Sequence, residues 1–431
     1  MSSQGDRSPT NAEVVAAVEV APRRRVGERL AEPLTRDELA LEAEAGIAYI
    51  DHLIEIGAVK PRDDGRFERG DVIRARVIAA FEAEGFSLDQ MATAIREGAI
   101  AIDVVPLFYP DPSLRSGRTF GQLATDLGER GRLVGPVLQA MGLSGPRPDA
   151  PTREIEERLL RTLIEGWASV DDEYTLRAAR IFGDAARRAA DGWVNLFTEA
   201  ITRPVETTYT AMEDVVPRLL HPAAMLSPLS AELLGWLLER HLERAMNDVN
   251  IDRIEARLQQ RGLIPARPEH PPAVAFVDVS EYTRLTYEQG DEHGALTAVR
   301  LAELADRIVR RHAGRVAKLL GDGVLLLFDS PCTAVQAVGE LMAAMVEANL
   351  PPAHAGVHAG PIVERDGDIY GTTVNLASRI AEYARPGVLL VSDPVVQACP
   401  QLRDSFEPLA EFVPKGLDDA IWLCKWVGSP S

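Results

Sequence analysis

The sequence predicts an α+β protein in which a mainly α-helical region precedes a C-terminal domain with strands and helices in βαββαβ order. Residues 150–262 show helical periodicity, whereas the chain from 270 onward alternates short apolar runs with longer helical stretches. The length of 431 residues is enough for two to four domains. The elements that support this fold class are taken in chain order below, after the composition.

The composition bounds the function classes. There are 46 Lys and Arg against 65 Asp and Glu, for a net charge of -19, so the surface repels nucleic acid and anionic membranes. The sequence has neither a membrane-spanning apolar run nor the apolar core of a signal peptide, which predicts a soluble cytoplasmic protein without a membrane partner. Cys332, Cys399 and Cys424 are far apart in sequence and are predicted to be buried thiols.

The first ordered segment is predicted to begin near residue 35. Residues 1–33 mix small, polar and charged residues without an apolar face, which is typical of a disordered tail. Thr35 and Glu38 have the spacing of a capping box, in which a hydroxyl and a carboxylate bind the free N–H groups of a helix start. Ser87 and Gln90 have the same spacing and predict a second helix start.

Residues 34–98 are predicted to form a helix-turn-helix with a small wing, because a helix over 47–56 is followed by a polar turn at 62–66. This segment weakly resembles the MerR family of winged-helix regulators in the following stretches: Leu39-Ala40, Ile56-Gly57-Ala58-Val59, Gly65-Arg66-Phe67 and Glu84-Gly85-Phe86-Ser87-Leu88.

DNA readout by this segment is not favoured. A recognition helix needs Arg or Lys for phosphates and base edges, but the helix over 47–56 offers the carboxylates of Asp51 and Glu55. Packing or partner sensing fits that charge pattern better.

Residues 99–262 are predicted to be a helical regulatory region that ends in a connecting helix. Four prolines are expected to break its helices, namely Pro204, Pro217, Pro222 and Pro228. An apolar stripe in the connecting helix is predicted to pack in an intramolecular core: Leu234, Leu238, Leu242, Ala245 and Val249. Arg261-Gly262 is expected to end this helix before a proline-rich linker.

The C-terminal domain, residues 270–431, is predicted to have a ferredoxin-like sheet with helices on one face. An apolar strand that ends on Asp278 precedes a helix of about 25 to 30 residues. The later elements are two strands, 315–320 and 324–328, with a tight turn at 321–323, then a helix over 332–349 and strands near 355–363 and 389–391.

Asp278 and Asp322 follow neighbouring strands of this sheet. Two carboxylates side by side are unfavourable unless a cation lies between them. Hard oxygen ligands without nearby His or Cys favour Mg²⁺ or Mn²⁺, and Mg²⁺ usually binds together with a phosphate. For either residue alone, a turn Asp or a helix cap is the simpler interpretation.

Residues 272–428 resemble the catalytic domain of the class III adenylate/guanylate cyclases. The resemblance rests on four motifs in order: Phe276-Val277-Asp278-Val279-Ser280-Glu281-Tyr282-Thr283, Lys318-Leu319-Leu320-Gly321-Asp322-Gly323, Asp368-Ile369-Tyr370-Gly371-Thr372-Thr373-Val374-Asn375-Leu376-Ala377-Ser378-Arg379, and Lys415-Gly416. It implies a homodimer in which each active site combines residues of two catalytic domains.

The resemblance also implies a role for each site residue. Asp278, Val279 and Asp322 would bind two Mg²⁺ or Mn²⁺ ions. Asn375 would orient the ribose and Arg379 would stabilise charge at the α-phosphate. The remaining residues would bind substrate: Lys318, Asp368 and Lys415. Because adenine pairs an acceptor nitrogen with an amino donor, Lys318 and Asp368 favour ATP over GTP.

The expected function is therefore an adenylate cyclase that makes 3',5'-cyclic AMP and pyrophosphate from ATP under control of its N-terminal region. Two alternatives stay open: a transcription regulator with a non-catalytic nucleotide-sensing domain, and a guanylate cyclase. One position departs from the family, because His354 stands where many members have Arg or Lys. Packing is the commoner use of such a residue, and pH control is the minority hypothesis.

Overall fold

The computed structural model describes residues 33–100, 102, 105–106, 115–209, 212–265, 270–414 and 420–428. All but the last residue of the predicted N-terminal tail lies outside these ranges. The chain divides into two compact units, Met1–Glu255 and Ala256–Ser431. Within the described ranges, no helix combines the length and the apolar character needed to cross a membrane.

The first part of the N-terminal unit is a small helical cluster. The capping boxes predicted at Thr35 and Ser87 are both confirmed. A bridge between Leu34 and Phe67 closes the segment that contains the polar turn. Winged-helix character over 34–98 stays a prediction. The helices are α1 (Arg36–Ala43), α2 (Ile47–Glu55), α3 (Arg69–Ala83) and α4 (Leu88–Arg96).

The rest of this unit is also mainly helical, with a short antiparallel strand pair that the sequence did not predict. Leu123, Val137 and Ile164 are fully buried in its core. Its elements are β1 (Arg115–Thr119), α5 (Phe120–Asp126), α6 (Val134–Ala140), β2 (Pro151–Arg153), α7 (Glu154–Gly166), α8 (Asp172–Phe197), α9 (Arg203–Thr208) and α10 (Met212–Gln260).

Helix α10 differs from its prediction in two ways. It continues through Pro217, Pro222 and Pro228, so three of the four predicted helix breaks are wrong; a helix can accommodate a proline by a kink when neighbouring groups satisfy the freed carbonyl. Its apolar stripe is exposed rather than buried, with Leu242 at 52% and Val249 at 49% exposure. Periodicity identified the helix and its face, but it could not show whether a partner covers that face.

The C-terminal unit contains a seven-stranded sheet, with strands β3 (Ala273–Val279), β4 (Gly314–Leu319), β5 (Gly323–Phe328), β6 (Ala353–Ala359), β9 (Leu389–Ser392), β10 (Phe406–Phe412) and β11 (Ile421–Trp426). Their order in the sheet is β10-β11-β9-β6-β3-β5-β4. Strands β6 and β9 are parallel, and the other neighbours are antiparallel. The sub-order β6-β3-β5-β4 is that of the predicted ferredoxin-like βαββαβ unit, so the α+β fold class is confirmed.

The remaining elements of this unit are a strand pair and five helices. Strands β7 (Val363–Arg365) and β8 (Asp368–Tyr370) form a separate hairpin. The helices are α11 (Tyr282–Gln289), α12 (Asp291–Arg311), α13 (Pro331–Glu347), α14 (Thr372–Tyr383) and α15 (Asp393–Ala398). The single helix predicted after Asp278 is thus two, divided at Gly290, whose φ of 90° suits glycine.

Helices cover both faces of the sheet, so the predicted one-faced arrangement is wrong. Alternate residues of β3 point to opposite sides: Ala275 and Val277 pack with α12 and α13, whereas Val274 packs with Ala377 of α14. Helix α14 approaches the sheet closely at Gly356, where a Cβ would lie 2.2 Å from the backbone nitrogen of Ala381. The continuous apolar run of β3 fits burial on both faces.

Cys332 and Cys399 form a disulfide with a Cα–Cα distance of 5.4 Å, so the prediction of buried thiols is wrong for this pair. Cys332 begins α13 and Cys399 follows the end of α15, and the tertiary fold brings these two helix ends together. Their separation of 67 residues in sequence gave no indication of the contact. Cys424 is free and half-buried.

Candidate active site

The two predicted metal-binding carboxylates lie on adjoining strand ends. Asp278 is opposite Gly323 in the β3–β5 ladder, and Asp322 directly precedes Gly323. The backbone N–H of Val279 donates to the carbonyl of Asp322 at 2.9 Å, which fixes the turn against the end of β3. A Cβ at Gly323 would lie 2.6 Å from Oδ1 of Asp278, so a side chain there would require that carboxylate to shift. The structure therefore brings together the Asp pair that the sequence singled out.

The negative charge of Asp322 acts on Asp278. Burial raises the pKa of Asp278, the negative charge of Asp322 raises it further, and His354 opposes the rise. Among the described residues, no Arg or Lys forms an ion pair with either carboxylate. The described residues thus leave negative charge on this pair without an Arg or Lys partner, and carboxylate oxygens are the donors that Mg²⁺ and Mn²⁺ prefer.

The carboxylate pair does not form a complete metal site by itself. In the described ranges, no three His, Cys, Asp or Glu side chains lie close enough to hold a metal ion together. A cation bound by Asp278 and Asp322 would need other oxygen ligands, such as water or phosphate. This fits an ion that binds together with a phosphorylated substrate.

His354 contacts Asp278, one of the two predicted metal-binding carboxylates. The sequence did not predict this contact. It lies opposite Asp278 in the β3–β6 ladder, and its Nε2 is 3.5 Å from Oδ2 of Asp278. Its Nδ1 is 3.0 Å from Oγ of Ser280. The imidazole is therefore oriented by a hydrogen bond and faces the carboxylate, and its use in packing stays a prediction.

Lys318 and Asp368, the predicted base-reading residues, form an ion pair. Nζ of Lys318 lies 2.5 Å from Oδ2 of Asp368, and Oδ1 of Asp368 accepts the backbone N–H of Ile369 at 2.9 Å. The two residues come from different elements, β4 and β8, and are 50 residues apart in sequence. The structure places a cationic donor beside an anionic acceptor, as recognition of an adenine edge requires.

Asn375 and Arg379 are one turn apart on α14, and both are exposed. Nη1 of Arg379 lies 2.9 and 2.6 Å from the carboxylate oxygens of Glu382, a contact that the sequence did not predict. Within the part of the chain that the structure describes, neither Asn375 nor Arg379 bonds to Asp278 or Asp322. Lys415, the remaining predicted site residue, lies outside the described residues.

The comparisons with known proteins agree with this geometry, and they confirm the resemblance of the C-terminal domain to adenylate cyclases. The chain is 29% identical over 250 residues to an adenylate cyclase of Streptomyces coelicolor, which covers 58% of this chain and 62% of the relative. It is 31% identical over 236 residues to an adenylate cyclase of Streptomyces griseus, which covers 54% and 55%. The chain thus spans less than two thirds of the length of these relatives.

Among solved structures, the adenylate/guanylate cyclase/hydrolase of Silicibacter pomeroyi is 28% identical and has a TM-score of 0.34. That match covers 36% of this chain and 96% of the other. No protein-family model matches the chain.

Proposed function

We propose that the chain is an adenylate cyclase that converts ATP to 3',5'-cyclic AMP and pyrophosphate. The observation that carries the proposal is the adjoining pair of Asp278 and Asp322, whose charge no described Arg or Lys compensates. The names of the sequence relatives support the same activity.

Asp278 and Asp322, with the backbone carbonyl of Val279, would hold two divalent ions, Mg²⁺ or Mn²⁺. Bound there, the ions would lower the pKa of the ribose 3'-hydroxyl and neutralise phosphate charge. The raised pKa of Asp278 supports this assignment, because a cation relieves the repulsion that raises it. His354 would remain beside Asp278 as a hydrogen-bonding group.

The adenine base would be read by Lys318 and Asp368. The ammonium group donates to the ring nitrogen N1, and the carboxylate accepts from the 6-amino group. Guanine presents the opposite polarity at these two positions, so the same pair would disfavour GTP. The ion pair between Lys318 and Asp368 keeps both groups together before substrate binds.

Residues of α14 would act on the sugar and the phosphates. Asn375 would orient the ribose, and Arg379 would stabilise the charge that develops at the α-phosphate. Arg379 would first have to leave Glu382, but an exposed helix pair of this spacing contributes only about 0.2–0.5 kcal/mol. Lys415 would bind the terminal phosphates.

The active site would form between two copies of the chain. Asp278 and Asp322 form no bond with Asn375 or Arg379 of the same protomer. We therefore propose that one protomer supplies the two carboxylates and that its partner supplies Asn375 and Arg379. The dimer would have two equivalent sites. The N-terminal region would regulate the activity.

The experiment is to incubate the purified full chain with Mn²⁺ and either ATP or GTP and to measure cyclic nucleotide and pyrophosphate. We expect cyclic AMP from ATP, at a rate that rises with protein concentration as the chain dimerises. The absence of pyrophosphate at every concentration would rule the proposal out.

Base recognition is tested by the variant that combines Lys318→Glu with Asp368→Cys. Because it removes both the donor and the acceptor for adenine, we expect the ratio of kcat/KM for ATP to that for GTP to fall by about 10-fold to 100-fold, as for loss of a good bidentate base contact. An unchanged ratio would show that other residues select the base.

A further inference from the structure

The β7–β8 hairpin carries Asp368 but is not a part of the main sheet. Among the described strands, β7 and β8 pair only with each other. Apolar contacts hold the hairpin on the sheet: Ile369 is buried with Val274 and Leu325, and Ile362, which precedes β7, packs against the same cluster. Apolar contacts are not directional, so the orientation of Asp368 depends on polar contacts as well.

A β-bulge in β4 places two basic residues, Arg315 and Lys318, on the face of the sheet that carries this hairpin. In a regular strand, residues three apart point to opposite faces. The β4–β5 register shifts between Val316 and Lys318, so Arg315 pairs with Leu327 and Lys318 pairs with Leu325. Both leucines lie in the buried cluster that contains Ile369, so Arg315 and Lys318 share the hairpin face.

Each basic residue meets an acidic residue of the hairpin. Lys318 pairs with Asp368, and Nη2 of Arg315 lies 2.5 Å from Oε2 of Glu364. Glu364 is directly opposite Ile369 in the hairpin register, so it is on the side that packs on the sheet. These two ion pairs join the hairpin to β4, and of the two only the Lys318–Asp368 pair is assigned to substrate.

We propose that Arg315 and Glu364 are positioning residues for base recognition. Their ion pair sets the orientation of the β7–β8 hairpin, so that the carboxylate of Asp368 lies beside Lys318 with the spacing that adenine requires. The inference rests on the proposed function, in which Lys318 and Asp368 read the base. Neither Arg315 nor Glu364 touches the reacting atoms.

The size of the effect follows from exposure. The side chains of Arg315 and Glu364 are 44% and 60% exposed, and ion pairs of this kind are weak. We therefore expect a 2- to 5-fold effect rather than loss of activity. The substitutions should change KM for ATP and the preference for ATP over GTP but not kcat, because they leave the proposed metal ligands and the residues of α14 in place.

The test compares Arg315→Glu, Glu364→Arg and the double charge swap in the full chain, by kcat and KM for ATP and GTP. Each single variant is expected to raise KM for ATP about 2- to 5-fold at nearly constant kcat, and to lower the preference for ATP over GTP by a similar factor. The double swap, which restores an ion pair of reversed polarity, is expected to recover most of both.

The matched control is Asp306→Asn, because Asp306 and Arg310 form an ion pair of similar exposure on α12, away from the hairpin. This variant should leave KM and base preference unchanged.

Three results would overturn the inference: single variants with unaltered ATP preference, a double swap without recovery, or an equal loss for both nucleotides that follows thermal stability. If the wild-type chain turns over neither nucleotide, the proposed function falls, and the positioning role falls with it. If the wild type is active on ATP and the single variants keep its base preference, only the positioning role is wrong.

Discussion

Two carboxylates with raised pKa values, one in each unit, differ in what the chain places against them. Asp71 in the N-terminal unit is fully buried, accepts the backbone N–H of Glu68 at 2.9 Å, and lies 2.6 Å from Nη1 of Arg74. Burial raises its pKa, and the guanidinium opposes part of that rise. Asp278 in the C-terminal unit is half-buried and faces another carboxylate.

The difference separates a carboxylate that the chain pairs with a cationic side chain from one that we propose binds a metal ion. At Asp71, the chain supplies the opposite charge and a capping donor, so the group stabilises the start of α3. At Asp278, the chain supplies a like charge instead, which lowers stability until a cation binds. Burial and a raised pKa alone therefore do not distinguish a structural carboxylate from a candidate binding site. The sign of the neighbouring charge does distinguish them.

The largest expected effect is the loss of activity in Asp278→Asn. Removal of one metal ligand is expected to lower pyrophosphate release by about 10³-fold or more, since the bound ions contribute several kcal/mol to the transition state. The fold should survive because the substitution removes a repulsion. Thermal unfolding of the metal-free protein checks this, and full activity in the variant would refute the metal assignment.

Asp71→Asn should have the opposite pattern. It removes the carboxylate from the nearly buried ion pair with Arg74, and breaking such a pair typically costs about 3–5 kcal/mol in the free energy of unfolding. Urea denaturation measures this loss. Turnover per folded molecule should be preserved at temperatures where the variant stays folded, and a specific fall in kcat there would contradict a purely structural role.

His358 extends the comparison to pH. It is buried beside Ser392, with Nδ1 2.7 Å from Oγ, and burial lowers its pKa from 6.5 to about 4. Between these values the unfolded chain binds more protons than the folded chain, so the free energy of unfolding falls as the pH falls. The fall should reach about 2–3 kcal/mol near pH 4.

The control for this prediction is His358→Gln, which keeps a hydrogen-bonding group but does not titrate. Urea denaturation of both proteins at several pH values isolates the contribution of the imidazole. Identical pH dependence in the two would show that His358 is not buried as a neutral group in solution.

The sequence predicted best the elements whose signals are local. The apolar run of β3, the glycine turn before β5 and the capping boxes at Thr35 and Ser87 each depend on neighbouring residues, and all are present. The site residues that the structure brings together, Asp278 with Asp322 and Lys318 with Asp368, were found through motifs. Their roles and the domain boundaries within the N-terminal region stay predictions.

The features that the sequence missed depend on contacts between distant segments. The disulfide of Cys332 and Cys399 and the contact of His354 with Asp278 join residues far apart in the chain. The bulge in β4 depends on pairing with β5, and period-two counting alone assigns Lys318 to the wrong face. A turn glycine can be recognised from its neighbours in sequence. A register shift or a disulfide can be recognised only when the partner strand or helix is known.

Glycine at position 356 makes the location of α14 depend on a single missing methyl group. A Cβ there would also lie 2.6 Å from the carbonyl oxygen of Ala377, so even alanine would push the helix outward. Asn375 and Arg379 would shift together, because both are carried by that helix. A substitution in the sheet interior would then lower the proposed cyclase activity, although the polar groups of the candidate active site would remain chemically intact.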